Sequence, residues 1–121
     1  MTIGIKQEWL LEAAPQFESH PRQRTRCNVK DSDGTLIVNL GELDGGTSTT
    51  QVFAQQMGKP HLVVQLDSGV SAQAPESVIA GLHEHAIKKL NVAGPRESKR
   101  PGIYRLTGEL LKAIDAAVHL A

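Results

Sequence analysis

Apolar residues along the chain fall into short blocks of two kinds, and the two kinds alternate. Thr35–Leu40 (TLIVNL), His61–Leu66 (HLVVQL) and Leu90–Ala93 (LNVA) are brief aliphatic and β-branched runs. Runs of that length without polar alternation fit strands covered on both faces. Between them the spacing changes to that of helices. Val52, Phe53, Gln56 and Met57 predict a helix over Ser48–Met57, which Gly58 caps and Pro60 forbids from continuing. Val78, Ile79, Leu82 and Ala86 predict a second, opened by Pro75, after a loop over Asp67–Ala74. Ile103, Leu106, Leu110, Ile114 and Val118 predict a long final helix. Upstream, Asp31-Ser32-Asp33-Gly34 is a turn, and Pro21 opens a short helix over Arg22–Lys30. Ile5, Trp9, Leu10 and Ala13 have helical spacing that Pro15 stops, and residues 1–20 predict no firm element.

Strands that alternate with helices form a parallel sheet covered on both faces. The expectation is one α/β domain over residues 1–121, with a small, mostly parallel sheet and no repeat or linker. Ligands of such sheets sit at the carboxyl ends of the strands, where the strand order reverses. With right-handed crossovers, the order third–first–second brings the loops after Leu40 and after Ala93 together. We adopt that order because both loops are suited to an anion.

In the first loop, Gly41–Thr47, the pair Gly45-Gly46 lets backbone approach a ligand closely and adopt positive φ. Thr47, Ser48, Thr49 and Thr50 offer hydroxyls and N–H groups at a helix N-terminus, the positive end of its dipole. In the second, Gly94–Ser98 within the polar stretch Gly94–Arg100, Arg96 is able to clamp an oxyanion in bidentate fashion. Ser98 either caps the last helix or bonds the ligand. The candidate ligand-binding residues are Gly45, Gly46, Thr47, Ser48, Gly94, Pro95, Arg96, Glu97 and Ser98. The competing readings are ordinary: Gly-Gly as a tight turn, and Arg96 paired with Glu97 or Glu42.

Composition narrows the partners. Thirteen Lys and Arg balance thirteen Asp and Glu, which argues against a dedicated nucleic-acid or anionic-membrane surface. Aromatic residues are 3%, too few for single-strand binding by base stacking. Cys27 is the single cysteine, so a reducing compartment is the simplest reading. With no signal-like N-terminus and no membrane-length apolar run, a soluble, cytoplasmic protein is expected.

Weaker candidates have bland explanations. His83 and His85 are two apart on a helix and point to nearly opposite sides, so no metal site is expected. Cys27 reads as an inert, partly buried thiol. Arg22, Arg24, Arg26 and Lys30 form a solvated helix face or a basic rim that steers an anion. Asn39, Asp33 and Asp44 read as turn formers near the strand end, with ribose contact as the alternative.

Three stretches carry a resemblance: PRQRTRCNVKDSDGTLIVNLGELDGGTSTT, GKPHLVVQLD and LNVAGPRESKRPGIYRLTGELL. From Arg22 to the end, the chain resembles the molybdenum-carrier family, a circularly permuted branch of the SLOG superfamily of lysine-decarboxylase-like Rossmannoid proteins. The resemblance implies a Rossmann-like three-layer α/β/α domain. It also implies that Leu90–Leu120 resembles the first strand–helix unit of unpermuted relatives, beside Thr35–Leu40. The chain departs from the family in two ways. It has no N-terminal GGQTGxDR-like unit, and its GGTSTTQVF lacks the glutamate that glycosidase relatives carry after their glycine-rich motif.

The leading reading is therefore a binding or carrier protein for an anionic nucleotide-like or pterin-phosphate ligand, with molybdenum cofactor or a nucleotide as the candidate cofactor. The alternatives are an N-glycosidase-like enzyme acting on nucleoside monophosphates, against which the missing carboxylate weighs, and a truncated domain acting through protein contacts. No catalytic residue is assigned. Leu90–Ala93 is also an apolar edge strand without the usual protections. A homodimer is the expected cover, because symmetric dimers are the commonest solution; Met1–Ile5 folding back as a strand is the alternative.

Overall fold

The structure, a computed structural model, describes residues 2–4 and 21–120. The chain order is β1 (Thr2–Gly4), α1 (Pro21–Lys30), β2 (Gly34–Asn39), α2 (Gly45–Gln56), β3 (His61–Gln65), α3 (Gln73–Glu84), β4 (Lys89–Ala93) and α4 (Ile103–Leu120). The strands form one sheet in the order β1-β4-β2-β3. β2 pairs in parallel with β3, Leu36 opposite Leu62, and with β4, Leu36 opposite Val92. The expected order third–first–second is the order observed. β1 adds antiparallel to the outer edge of β4, with Ile3 opposite Leu90. The edge of β4 is thus covered by the chain's own N-terminal strand, as in the fold-back alternative.

The chain steps from β2 outward to β3, then back across β2 to β4. Right-handed crossovers put the helices of the two steps on opposite faces. α3 and α4 pack together over Leu36, Val38, Leu90 and Val92, closing a core with Val78, Leu82, Ile103, Leu106, Leu110 and Ile114. α1 and α2 cover the other face, where Val29, Phe53 and Ala54 form a smaller cluster. All six residues of β2 are buried, as the central strand of such a sandwich requires.

Several boundaries differ from the sequence expectation. α2 begins at Gly45 rather than Ser48, so Gly45-Gly46 is its first turn and not a loop before it. α3 begins at Gln73 and places Pro75 in its first turn, where a missing N–H is tolerated. Ala86 lies beyond α3 in a turn with φ +50° and is exposed, not on the helix's apolar face. Asp33 precedes β2 and so sits at the opposite end of the sheet from the loops. The predicted pattern over Ile5, Trp9, Leu10 and Ala13 lies outside the described residues, as does the side chain of Val118. Among the described residues no helix is long and apolar enough to cross a membrane.

Lys59 ties α1 to the start of β3. Its Nζ donates to the carbonyls of Val29 (3.1 Å), Lys30 and Ser32 (2.6 Å). The ammonium thereby serves as a cap on the negative end of α1.

Candidate functional site

The reversal of strand order falls between β2 and β4. It brings the segment after β2, Leu40–Asp44, against the segment after β4, Gly94–Gly102. At Gly94 the approach is backbone-close: an added Cβ would lie 2.7 Å from Val38 Cγ2 and 3.0 Å from the Val38 carbonyl oxygen. Farther out, Arg100 Nε donates to the Leu40 carbonyl at 2.8 Å, and Arg100 Nη2 to Asp44 Oδ2 at 3.4 Å. Lys99 Nζ lies 2.8 Å from Asp44 Oδ1. The first segment is pinned from below. Asp67 Oδ1 accepts from the Gly41 N–H at 2.8 Å, and the Gly41 carbonyl accepts from Asn39 Nδ2 and Gln65 Nε2, each at 3.0 Å.

Asp44 occupies the N-cap position of α2 but makes no side-chain cap bond. Its carboxylate faces Lys99 and Arg100 instead. The N–H groups of Gly46 and Thr47 have no hydrogen-bond partner among the described residues. Glycine is favoured at Gly45 by its φ of +54°, and Lys99 Nζ stands 2.9 Å from where a Cβ would lie. The result is the open positive end of a 12-residue helix beneath two cationic side chains from the facing segment.

The sequence candidates divide accordingly. Gly45, Gly46 and Gly94 stand where the two segments meet. Thr47 is buried and Ser48 half-buried in the first turn of α2. Thr49 and Thr50 turn their hydroxyls back to the carbonyls of Gly45 (3.1 Å) and Gly46 (2.8 Å), so neither donates outward. Arg96 is exposed and pairs with neither Glu97 nor Glu42; its carbonyl instead accepts from the N–H groups of Lys99 and Arg100, closing a turn. Pro95 and Ser98 lie in the same segment. Glu97, not Ser98, holds the start of α4: its carboxylate accepts from Gly102 N at 2.6 Å and Tyr104 N at 3.0 Å. Among the described residues, the cations that reach the meeting point are Lys99 and Arg100, which sequence reasoning passed over. The only signal for them was the adjacent pair of charges closing the polar stretch.

Among the described residues, three carboxylates are held below their ordinary range. For Asp33 the causes are hydrogen bonds from the Lys88 and Lys89 N–H groups, which fasten the start of β4. For Asp44 the first cause is the hydrogen bond from Lys99. For Glu97 the causes are the Gly102 and Tyr104 N–H groups. A carboxylate with a depressed folded pKa contributes stability above its unfolded pKa, about 3.9–4.3, and that contribution is lost as pH falls through the folded value. Stability should therefore be level through neutral pH and fall below about pH 4. In denaturant titrations from pH 7 to pH 3, Asp33→Asn should be less stable than the parent at pH 7, with the gap closing towards pH 3. A gap independent of pH would show that the Asp33 charge contributes nothing.

The fold and this meeting of two segments define a Rossmann-like three-layer α/β domain with an uncapped helix N-terminus at its strand-order switch. The model of the circularly permutated YpsA SLOG family matches residues 5–114, and the chain belongs to that family. A solved structure described as a "Putative molybdenum carrier protein" from Syntrophus aciditrophicus SB is similar to it, with 42% sequence identity and a TM-score of 0.74. The likeness covers 82% of this chain and 63% of that one, so this chain spans less than two thirds of the length of its relative. No curated protein sequence matches the chain.

Proposed function

We propose that the chain is a carrier of a small anionic ligand of nucleotide-like or pterin-phosphate type, molybdenum cofactor included. The observation that carries this reading is the open N-terminus of α2 under Lys99 and Arg100. An anion there accepts from the N–H groups of Gly46 and Thr47. It takes over Lys99 and Arg100 from Asp44, whose carboxylate turns out to solvent. Arg96, exposed on the same segment, completes the contact. The donors on offer are N–H, ammonium, guanidinium and hydroxyl groups. They suit a phosphate or a molybdate-like oxyanion and not direct ligation of a soft metal centre, which takes sulfur. The family and the name of the similar structure agree with carriage of such a group.

The test is calorimetric titration of inorganic phosphate, AMP and molybdate into the parent protein and into Lys99→Ala, Arg100→Ala and Arg96→Ala. Loss of one charged hydrogen-bond partner should weaken the best probe by about 1.5–3 kcal/mol, or ten- to a hundredfold, in the Lys99 and Arg100 variants. Unchanged affinity in both would refute the site. Unchanged affinity in Arg96→Ala alone would remove only Arg96 from it.

A further inference from the structure

A concavity lies at the other end of the sheet, where β2, β3 and β4 begin. It has a volume of about 390 Å³ and lies between β3 and α3. That size is at the small end of known ligand sites. Its floor is apolar, formed by Leu36, Leu62, Val78, Leu82 and Leu90, and its polar side carries Ser77, Glu84 and His85.

Three separate features converge on it. The first is Gly81. It stands inside α3, where glycine is the least favourable residue after proline. Its φ is not in the left-handed region, and an added Cβ would meet nothing within 4 Å. Neither backbone conformation nor close packing therefore calls for glycine there. Ser77 and His85 lie one turn to either side on the same stripe, and all three line the cavity. The absent side chain keeps that wall clear. The second is Ala86, the one non-glycine residue among those described with a positive φ, +50°. It forms the turn between His85 and Ile87, both of which line the cavity. Such conformations persist where the surroundings fix them, and they cluster at ligand clamps. The third is Leu62, a large apolar side chain that lines the cavity and is still 38% exposed.

The polar side selects the ligand. α3 ends beside the site, and the negative end of its dipole favours a cation nearby. Glu84 adds a carboxylate, and Ser77 and His85 add polar groups beside it. Neither lysine nor arginine lines the cavity. The one carboxylate of the lining, Glu84, favours a cation over an anion there.

We propose that this cavity is a binding site for a small amphiphilic amine. The apolar body lies against Leu36, Leu62, Val78 and Leu90, and the ammonium group lies at Glu84 and the end of α3. This goes beyond the anion site, which lies at the opposite end of the sheet and has the opposite charge preference.

The probes are phenethylamine and 3-phenylpropionate, which share an aryl-ethyl body and differ in head-group charge. They are titrated into the 15N-labelled full chain and followed by amide shifts. Phenethylamine should move the Leu62, Gly81 and His85 amides saturably, and 3-phenylpropionate should bind at least about tenfold more weakly. Glu84→Gln should reduce amine affinity about tenfold at unchanged Tm. Gly81→Leu should abolish binding without lowering Tm, and Gly81→Ala should raise Tm by roughly 4 °C while retaining weakened binding. Equal or tighter binding of the carboxylate would overturn the proposal, as would undiminished amine binding in Gly81→Leu or no saturable shift at millimolar amine. A concentration-dependent dimer disrupted by Gly81→Leu would also overturn it, by making a second copy the occupant. Phosphate binding in the same samples, weakened in Lys99→Ala, reports on the anion site separately, so either proposal can fail without the other.

Discussion

Leu110→Ala should destabilise the folded chain by about 3 kcal/mol, within the range for removing a fully buried leucine. Leu110 is 0% exposed and sits in α4, in the core shared with the sheet and α3. Its replacement removes the apolar transfer term and leaves a void that close-packed neighbours refill only in part. Leu36, Val38 and Ile114, all 2% exposed or less, are fixed by strand pairing or by helix packing from both sides. A domain of this size has roughly 5–15 kcal/mol of stability in all, so the loss should lower Tm by about 12 °C. Urea unfolding measures it directly, as a lower midpoint at unchanged slope. Val52→Ala is the control: Val52 is 43% exposed on α2, and surface truncations usually stay within about 0.5 kcal/mol. A Leu110→Ala cost no larger than that of Val52→Ala would mean that α4 does not close the core.

The core was legible because it is written in spacing. Ile103, Leu106, Leu110 and Ile114 recur at helical intervals, and all four are buried on one face of α4. The strand order was legible through function, since two anion-suited loops make sense only side by side. Chemistry at the meeting point was less so. Arg96, Glu97, Lys99 and Arg100 lie within five positions. Which of them turns towards β2 is decided by the turn in which the Lys99 and Arg100 N–H groups bond to the Arg96 carbonyl. No residue in that stretch announces the turn, so Arg96, two residues after Gly94, reads as the clamp in place of Arg100. The start of α2 was hidden for a related reason. Gly45-Gly46 looks like a loop because glycine is a poor helix former, yet a φ of +54° favours glycine at Gly45. Asn91 shows the limit from the other side. The run LNVA reads as apolar, but Asn91 is 2% exposed, with Nδ2 3.4 Å from Thr35 Oγ1 across the paired strands. Burial of a polar pair depends on register, which periodicity alone does not reveal.

Gly94→Ala should cost about 1–3 kcal/mol, the usual penalty for overpacking, and should also disturb the anion site. The new methyl would lie 2.7 Å from Val38 Cγ2 and 3.0 Å from the Val38 carbonyl oxygen. Val38 cannot easily move aside. It is β-branched, with few χ1 choices, 2% exposed, and part of the central strand, paired to β3 opposite Val64. Relief must come from shifting the segment after β4 outward. That segment carries Lys99 and Arg100, so their contacts with Leu40 and Asp44 should loosen with it. Two separable readouts follow: a lower urea midpoint, and weaker phosphate binding beyond what instability explains. A double-mutant cycle with Val38→Ala identifies the cause. Trimming Val38 removes the Cγ2 contact but not the carbonyl contact. The two substitutions together should therefore cost less than the sum of each alone, by about 0.5–3 kcal/mol, with recovery incomplete because the carbonyl still crowds the methyl. Strict additivity would place the strain elsewhere, and it would break the link between the backbone approach at Gly94 and the position of the two cations.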